Sequence, residues 1–219
     1  MRWLYKLEYK YGNRYLRNLM GIVVVGMAAV SLLNTVGFPL QSLISLSRSE
    51  VLHGQVWRLI TFIFVPPSAN TLWLLVSLYF YYMMGQMLEY NWGGFKLNVY
   101  YLCGILGAIL AMLLSGMGSN VYLNLSLFLA FATLSPDTEF RLFFILPVKA
   151  KWMAAAYAVL MLLPLVLLNS PTRALQELVS LAFSLLNYIL FFGPTLFTQL
   201  RDSVRIARNR RNWNNRNRR

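Results

Sequence analysis

From Asn18 to Phe38 the chain reads NLMGIVVVGMAAVSLLNTVGF, without one ionisable side chain. An apolar run of about 20 residues matches the hydrocarbon thickness of a bilayer when it is helical. Five more such runs follow, at about Leu72–Leu88, Leu97–Met117, Val121–Leu134, Trp152–Leu168 and Leu178–Phe197. Composition points the same way. The 219 residues are 58% hydrophobic and 12% charged, against about 45–50% and about 25% in soluble domains. These values exclude a disordered chain, a coiled coil and a soluble nucleic-acid-binding domain. They leave an all-α membrane protein, one bundle of six transmembrane helices. The run after Arg17 is too long for a signal-peptide core, so no cleavable leader is expected.

The connections carry the remaining detail. Residues 39–70 are too polar to span and too apolar for a free loop, with Arg48, Glu50, His53 and Arg58 among apolar neighbours. They read as a membrane-lying first loop with Trp57 at headgroup depth. In the third span Gly107, Ala111 and Ser115 recur every fourth residue beside Gly104 and Ala108, a stripe that permits close helix packing. The fourth span is too short to cross alone and is expected to be surrounded by other helices. Residues 135–151 read as a loop with one apolar run. Pro164 is expected to kink the fifth span. Arg173 and Glu177 read as loop residues, and Gly193-Pro194 as a bend at the end of the sixth span. The expected division is a basic N-terminal segment (1–18), a membrane domain (19–198) and a basic disordered tail (199–219).

Charge placement orients the bundle. With six spans, seventeen of the twenty Lys and Arg residues fall on the side of the termini. That side takes Arg2, Lys6, Lys10, Arg14, Arg17, Lys96, Arg141, Lys149, Lys151 and the eight arginines of the tail. Arg48, Arg58 and Arg173 fall on the other. The positive-inside rule then places both termini in the cytoplasm. A net charge of +13 is thereby accounted for by topology and contact with anionic lipid, and no nucleic-acid partner is expected. The membrane would be a bacterial cell membrane or, in a eukaryote, the endoplasmic reticulum.

The order of these features resembles the rhomboid superfamily, which includes intramembrane serine proteases, inactive rhomboids and derlins. The likeness covers roughly residues 20–195. It rests on HGQVWRLITFIF in the first loop, LYFYYMMGQMLEYNWG at the end of the second span and PVKAKW before the fifth. Within these, Trp57, Arg58, Gly85, Glu89, Trp92 and Gly93 form the structural motif. The resemblance implies a rhomboid-like six-helix fold in which Arg58 braces the loop, with Glu50 or backbone carbonyls as partners. Glu89 is either solvated or ties the Trp92 turn.

The resemblance also implies where a protease would keep its Ser–His pair and oxyanion groups. The family serine falls near Val121, but there is no Gly-x-Ser-Gly, only Gly118-Ser119-Asn120-Val121. The sixth span holds no histidine, and the second-span His and Asn positions fall on Trp73 and Ser77. A serine hydroxyl needs a base to become a nucleophile, and the chain's one histidine, His53, precedes the second span. No catalytic residue is therefore assigned, and neither a cofactor nor a metal is expected. Ser119 reads as a helix cap and Ser126 as an inter-helix hydrogen bonder. Asn124 and Asn187 are the costliest polar groups to bury. Ser119, Asn124, Ser126 and Asn187 together form a candidate polar cavity.

The expected function is that of a catalytically inactive rhomboid-like or derlin-like protein acting in membrane-protein quality control. It would bind transmembrane segments of client proteins and perturb the bilayer, with lipid and those segments as partners. One alternative is an intramembrane protease with a displaced dyad, Ser119 or Ser126 with His53. Another is a lipid or small-solute carrier, disfavoured because no predicted span contains a charge.

Overall fold

A computed structural model describes residues 2–12, 14–142, 146–167 and 171–216. The fold is predominantly helical. Helix α1 (Arg2–Tyr11) precedes α2 (Leu19–Thr35). The first loop folds into short turns, α3 (Leu40–Ile44), α4 (Arg48–Leu52) and α5 (Arg58–Thr61), ending in a 3-10 turn at Phe62–Phe64. Four long helices follow, α6 (Thr71–Trp92), α7 (Gly94–Ser115), α8 (Asn120–Leu134) and, after a hairpin, α9 (Ala150–Leu167). Helix α10 (Pro171–Arg216) closes the chain. Among the described residues two helical segments, Gly94–Ser115 and Ala174–Pro194, are long and apolar enough to cross a membrane. Leu19–Thr35 and Asn120–Leu134 are apolar but shorter.

Helix α8 lies at the centre. From Tyr122 to Phe128 every residue is buried, so its apolar pattern has no periodicity and a short helix never has to face lipid alone. Helices α6, α7, α9 and α10 all pack on it. The most extensive helix pair is α7 with α10, and Gly104 and Gly107 of the small-residue stripe face α10 at Asn187 and Phe183. A Cβ on Gly104 would stand 3.1 Å from Leu123 and 3.2 Å from Asn187. Close approach there is what the missing side chain permits.

One end of the bundle is tied by Asn18, Glu89 and Trp92. Asn18 caps α2 in the left-handed region (φ 53°), a conformation its short polar side chain tolerates. Its backbone N–H donates to the Glu89 carboxylate at 3.1 and 3.2 Å. Its side chain takes hydrogen bonds from Gly21 N (3.2 Å) and Gln86 Nε2 (2.5 Å). The Glu89 carboxylate is therefore neither solvated nor used at the Trp92 turn but occupied by the entry to α2, while the Glu89 carbonyl accepts from Gly93 N at 3.0 Å after Trp92. One turn earlier, Gly85 leaves room for Met20 of α2. Trp92 packs edge-on against Tyr100 and Phe191. Gly93 makes the turn into α7 with φ +96°, which a side chain would strain.

Four further expectations are corrected. Residues 139–149 are not a plain loop: β1 (Glu139–Leu142) pairs antiparallel with β2 (Leu146–Lys149). Pro147 is tolerated because a two-stranded ribbon has only edge strands. Asp137 beside it accepts from Lys151 (3.1 Å) and Lys149 (3.4 Å). The lysine hydrogen bonds and charges hold its carboxyl below the usual carboxylate range. Arg173 and Glu177 lie inside α10, not in a loop. That helix passes Gly193-Pro194 and continues to Arg216 where disorder was expected. Local composition favours disorder there, but a helix already nucleated upstream extends at low cost. Within the basic N-terminal segment, α1 buries Leu4 and its Glu8 pairs with Lys96 of α7 at 3.3 Å.

Candidate functional site

The first loop is braced within itself by one cation. Arg58 is 4% exposed. Its Nη1 donates to the carbonyls of Ser42 (2.7 Å) and Ser45 (2.8 Å), and its Nε to Gln55 Oε1 (2.8 Å). Glu50 supplies the counter-charge at 3.7 Å. A buried guanidinium survives only when its donors are satisfied, and here three donors close a loop that is short of backbone partners. Trp57 stays half exposed and donates from Nε1 to Leu43 O at 3.3 Å.

Behind this loop lies a cavity of about 250 Å³. Its walls come from three places: the loop (Leu46, Phe62, Val65), the α7–α8 turn with the start of α8, and the first turns of α10. The α7–α8 turn is fixed by Gly116 at φ +93°. It is also fixed by a bridge between Ser47 and Met117 and by Arg48 N donating to Gly116 O at 2.9 Å. Ser119 caps α8, accepting from Val121 N at 3.2 Å. Asn120 donates to Ile63 O (3.3 Å) and Val65 O (2.8 Å), stitching the loop to the helix. Tyr122 donates its hydroxyl proton to Glu177 Oε2.

Deeper in, a void of about 10 Å³ lies among Ser119, Ser126, Ser180 and Ser184, close to the space of one water. Ser126 shares a hydrogen bond with the Tyr100 hydroxyl at 2.7 Å. Asn187 Nδ2 reaches Tyr100 O (3.4 Å) and Ser126 Oγ (3.5 Å), and Ser184 donates to Tyr122 O at 2.5 Å. The α10 side of α8 is thus a closed hydrogen-bond network.

The four residues of the expected polar cavity are divided by the structure. Ser119 and Ser126 line the void and Asn187 bonds to Ser126. Asn124 is on another face, beside the Tyr81 hydroxyl of α6. There Asn124 Oδ1 and the Tyr101 hydroxyl are buried with no hydrogen-bond partner among the described residues. Phe128 lies in the same region, edge-on to Phe80 of α6 at 5.1 Å between centroids and tilted against Tyr157 of α9 at 6.0 Å.

His53 is far from use as a base. It caps the C-terminus of α4, is exposed, and its Nδ1 is 2.6 Å from Ser49 O. It does not line the cavity. Neither Ser119 nor Ser126 has it as a partner. Among the described residues no group of acidic, His or Cys side chains is arranged to hold a metal.

Sequence reasoning missed Tyr122 and Glu177. The carboxylate lies within the apolar segment Ala174–Pro194, which removes the argument that no span contains a charge. An acid three residues before a serine-bearing apolar stripe was the available signal. No family model, curated protein or solved structure matches this chain, so the rhomboid resemblance rests on the quoted residues alone.

Proposed function

We propose that this chain is a six-span, catalytically inactive rhomboid-like membrane protein that binds transmembrane segments of other proteins, with both termini in the cytoplasm. The observation that carries the reading is the use made of the polar residues around the family's serine position. Ser119 caps a helix, and Ser126 and Asn187 hold helices together. The one histidine is tied to its own turn on the surface of the loop. Acyl transfer requires a base within about 2.6–3.2 Å of the nucleophile or one water away, and these serines have none.

Binding is supported by the other side of α8. Helices α6 and α9 each pack on α8 and approach one another across Phe128. The unpartnered Asn124 Oδ1 lies there, a costly state in an apolar interior. A helix entering between α6 and α9 with a Ser, Thr or Asn donor would relieve that cost. The outer face of α6 is apolar and aromatic, with Leu72, Leu75, Val76 and Tyr79 exposed. Bilayer deformation is a compatible second activity. Helix α2 has 17 residues, about 26 Å at 1.5 Å per residue, against a hydrocarbon core of about 30 Å.

The test is energy transfer in proteoliposomes between protein labelled at Cys103→Ser, Ser77→Cys and single-span peptides with and without a central Asn. Saturable transfer, stronger for the Asn peptide, is expected. Transfer no greater than that to an unrelated membrane protein overturns the reading.

A further inference from the structure

The cavity behind the first loop has a chemistry that the proposed function does not use. Among the described residues Glu177 is its one formally charged lining residue, and no Lys, Arg or His lines it. The Tyr122 hydroxyl holds Glu177 Oε2, which fixes the carboxylate and leaves Oε1 without a partner among the described residues. The two amides in the wall are polarised in the same sense. Asn120 spends its Nδ2 on Ile63 O and Val65 O. Gln176 spends its Nε2 on Ser115 O at 3.0 Å. A backbone carbonyl accepts and cannot donate, so these contacts fix which end of each amide is which. Asn120 Oδ1 and Gln176 Oε1 remain as acceptors with no partner among the described residues. Neither they nor Glu177 Oε1 is fully buried, and all three residues line the cavity.

We propose that this cavity binds a primary ammonium group, with Glu177 as its counter-ion and the carbonyl oxygens of Asn120 and Gln176 as its further acceptors. An ammonium carries three donors and no acceptor, which matches a wall with three free acceptors and one negative charge. A carboxylate or phosphate ligand would meet the like charge of Glu177. A quaternary ammonium offers no N–H to the acceptors. At about 250 Å³ the cavity sits just below the range of about 300–1,000 Å³ for small-molecule sites. It takes a headgroup or a short alkylamine. Phe62, Val65 and Met117 give the attached carbons an apolar wall. The chemistry is shared by a free amine and by the ethanolamine headgroup of a phospholipid. The inference rests on the cavity and stands whether or not the chain binds transmembrane segments.

The purified full chain in detergent would be titrated with ethylamine, with lysophosphatidylethanolamine and with lysophosphatidylcholine of the same acyl length, followed by calorimetry and by melting temperature. Saturable binding of ethylamine or of the ethanolamine lipid is expected, with the choline lipid at least tenfold weaker. Binding of both probes makes a free amine sufficient, and binding of the lipid alone makes the headgroup the source. Glu177→Gln should weaken binding about tenfold or more, since a hydrogen bond to a charged group is worth about 1.5–3 kcal/mol. Gln176→Met, which removes one acceptor and keeps the carboxylate, should weaken it several-fold and guards against a misfolded Glu177 variant. Equal affinity for the choline lipid, no saturable binding of either amine, or unchanged affinity in both variants overturns the proposal.

Discussion

The two sides of α8 are built on opposite rules. Towards α10, the deeper polar groups of the helix are paired: Ser126 with Tyr100 and Asn187, and the Tyr122 carbonyl with Ser184. Towards α6, Asn124 Oδ1 is buried and unpaired, and so is the neighbouring Tyr101 hydroxyl. Asn124, Ser126 and Asn187 are all buried, so burial does not distinguish the two sides. The difference teaches that polarity inside this bundle has two uses. On one side it fixes helices in place. On the other, one amide oxygen remains unspent, in a side chain that sits beside the Tyr81 hydroxyl.

The largest expected effect comes from unbracing the first loop that covers the cavity between α8 and α10. Arg58→Ala strips hydrogen bonds from Ser42 O, Ser45 O and Gln55 at once. The loss should exceed the about 1–3 kcal/mol of one unpaired buried group. In detergent melts it should lower the transition more than any other variant named here, while Arg48→Ala, on an exposed residue, leaves it nearly unchanged. Equal melting temperatures would mean that Arg58 braces nothing.

Next in size, Asn187→Leu and Ser126→Ala each remove buried hydrogen bonds without orphaning a partner, since the Tyr100 hydroxyl keeps the Ser126 carbonyl at 2.8 Å, and each should cost about 0.5–1.5 kcal/mol. Asn124→Leu is the sharp contrast. It removes an unpaired acceptor, so the melting temperature should hold or rise, yet energy transfer to an Asn-bearing single-span peptide should fall to the level of the control peptide. A destabilised Asn124→Leu that still binds the peptide would erase the distinction between the two sides.

The smallest effect lies outside the bundle. Asp137 is ionised more readily in the fold than in the unfolded chain because Lys151 and Lys149 hold it. Its contribution is present above the ordinary Asp value of about 3.9 and is lost as pH falls through the lower folded value. The pair is fully exposed and screened. Asp137→Asn should therefore lower stability slightly at pH 7 and abolish the acid-side loss seen in the wild type, so that the two proteins converge in acid.

What the sequence disclosed, and what it hid, follows the same division. Local signals were readable: the helix start at Ser119, the break at Gly93, and the apolar runs that became α2, α7 and α8. An arginine in an apolar loop had to find partners, so Arg58 was legible as a brace. Partners distant in sequence were not. Nothing near Glu89 points to Asn18, and nothing near Glu177 points to Tyr122, because those pairings exist only after the helices pack. Strands β1 and β2 are four residues each, too short to separate from an apolar loop by periodicity. The extension of α10 into the Arg- and Asn-rich tail overrides the local composition.

The central claim is that the polar core around Ser119 and Ser126 holds the fold and performs no acyl transfer. Purified protein in liposomes, given a fluorogenic single-span substrate and followed by mass spectrometry of the peptide, tests it directly. The substrate should remain intact with the wild type and with His53→Ala, Ser119→Ala and Ser126→Ala alike. Cleavage by the wild type that vanishes in His53→Ala and in one serine variant would contradict the account and establish a displaced catalytic dyad.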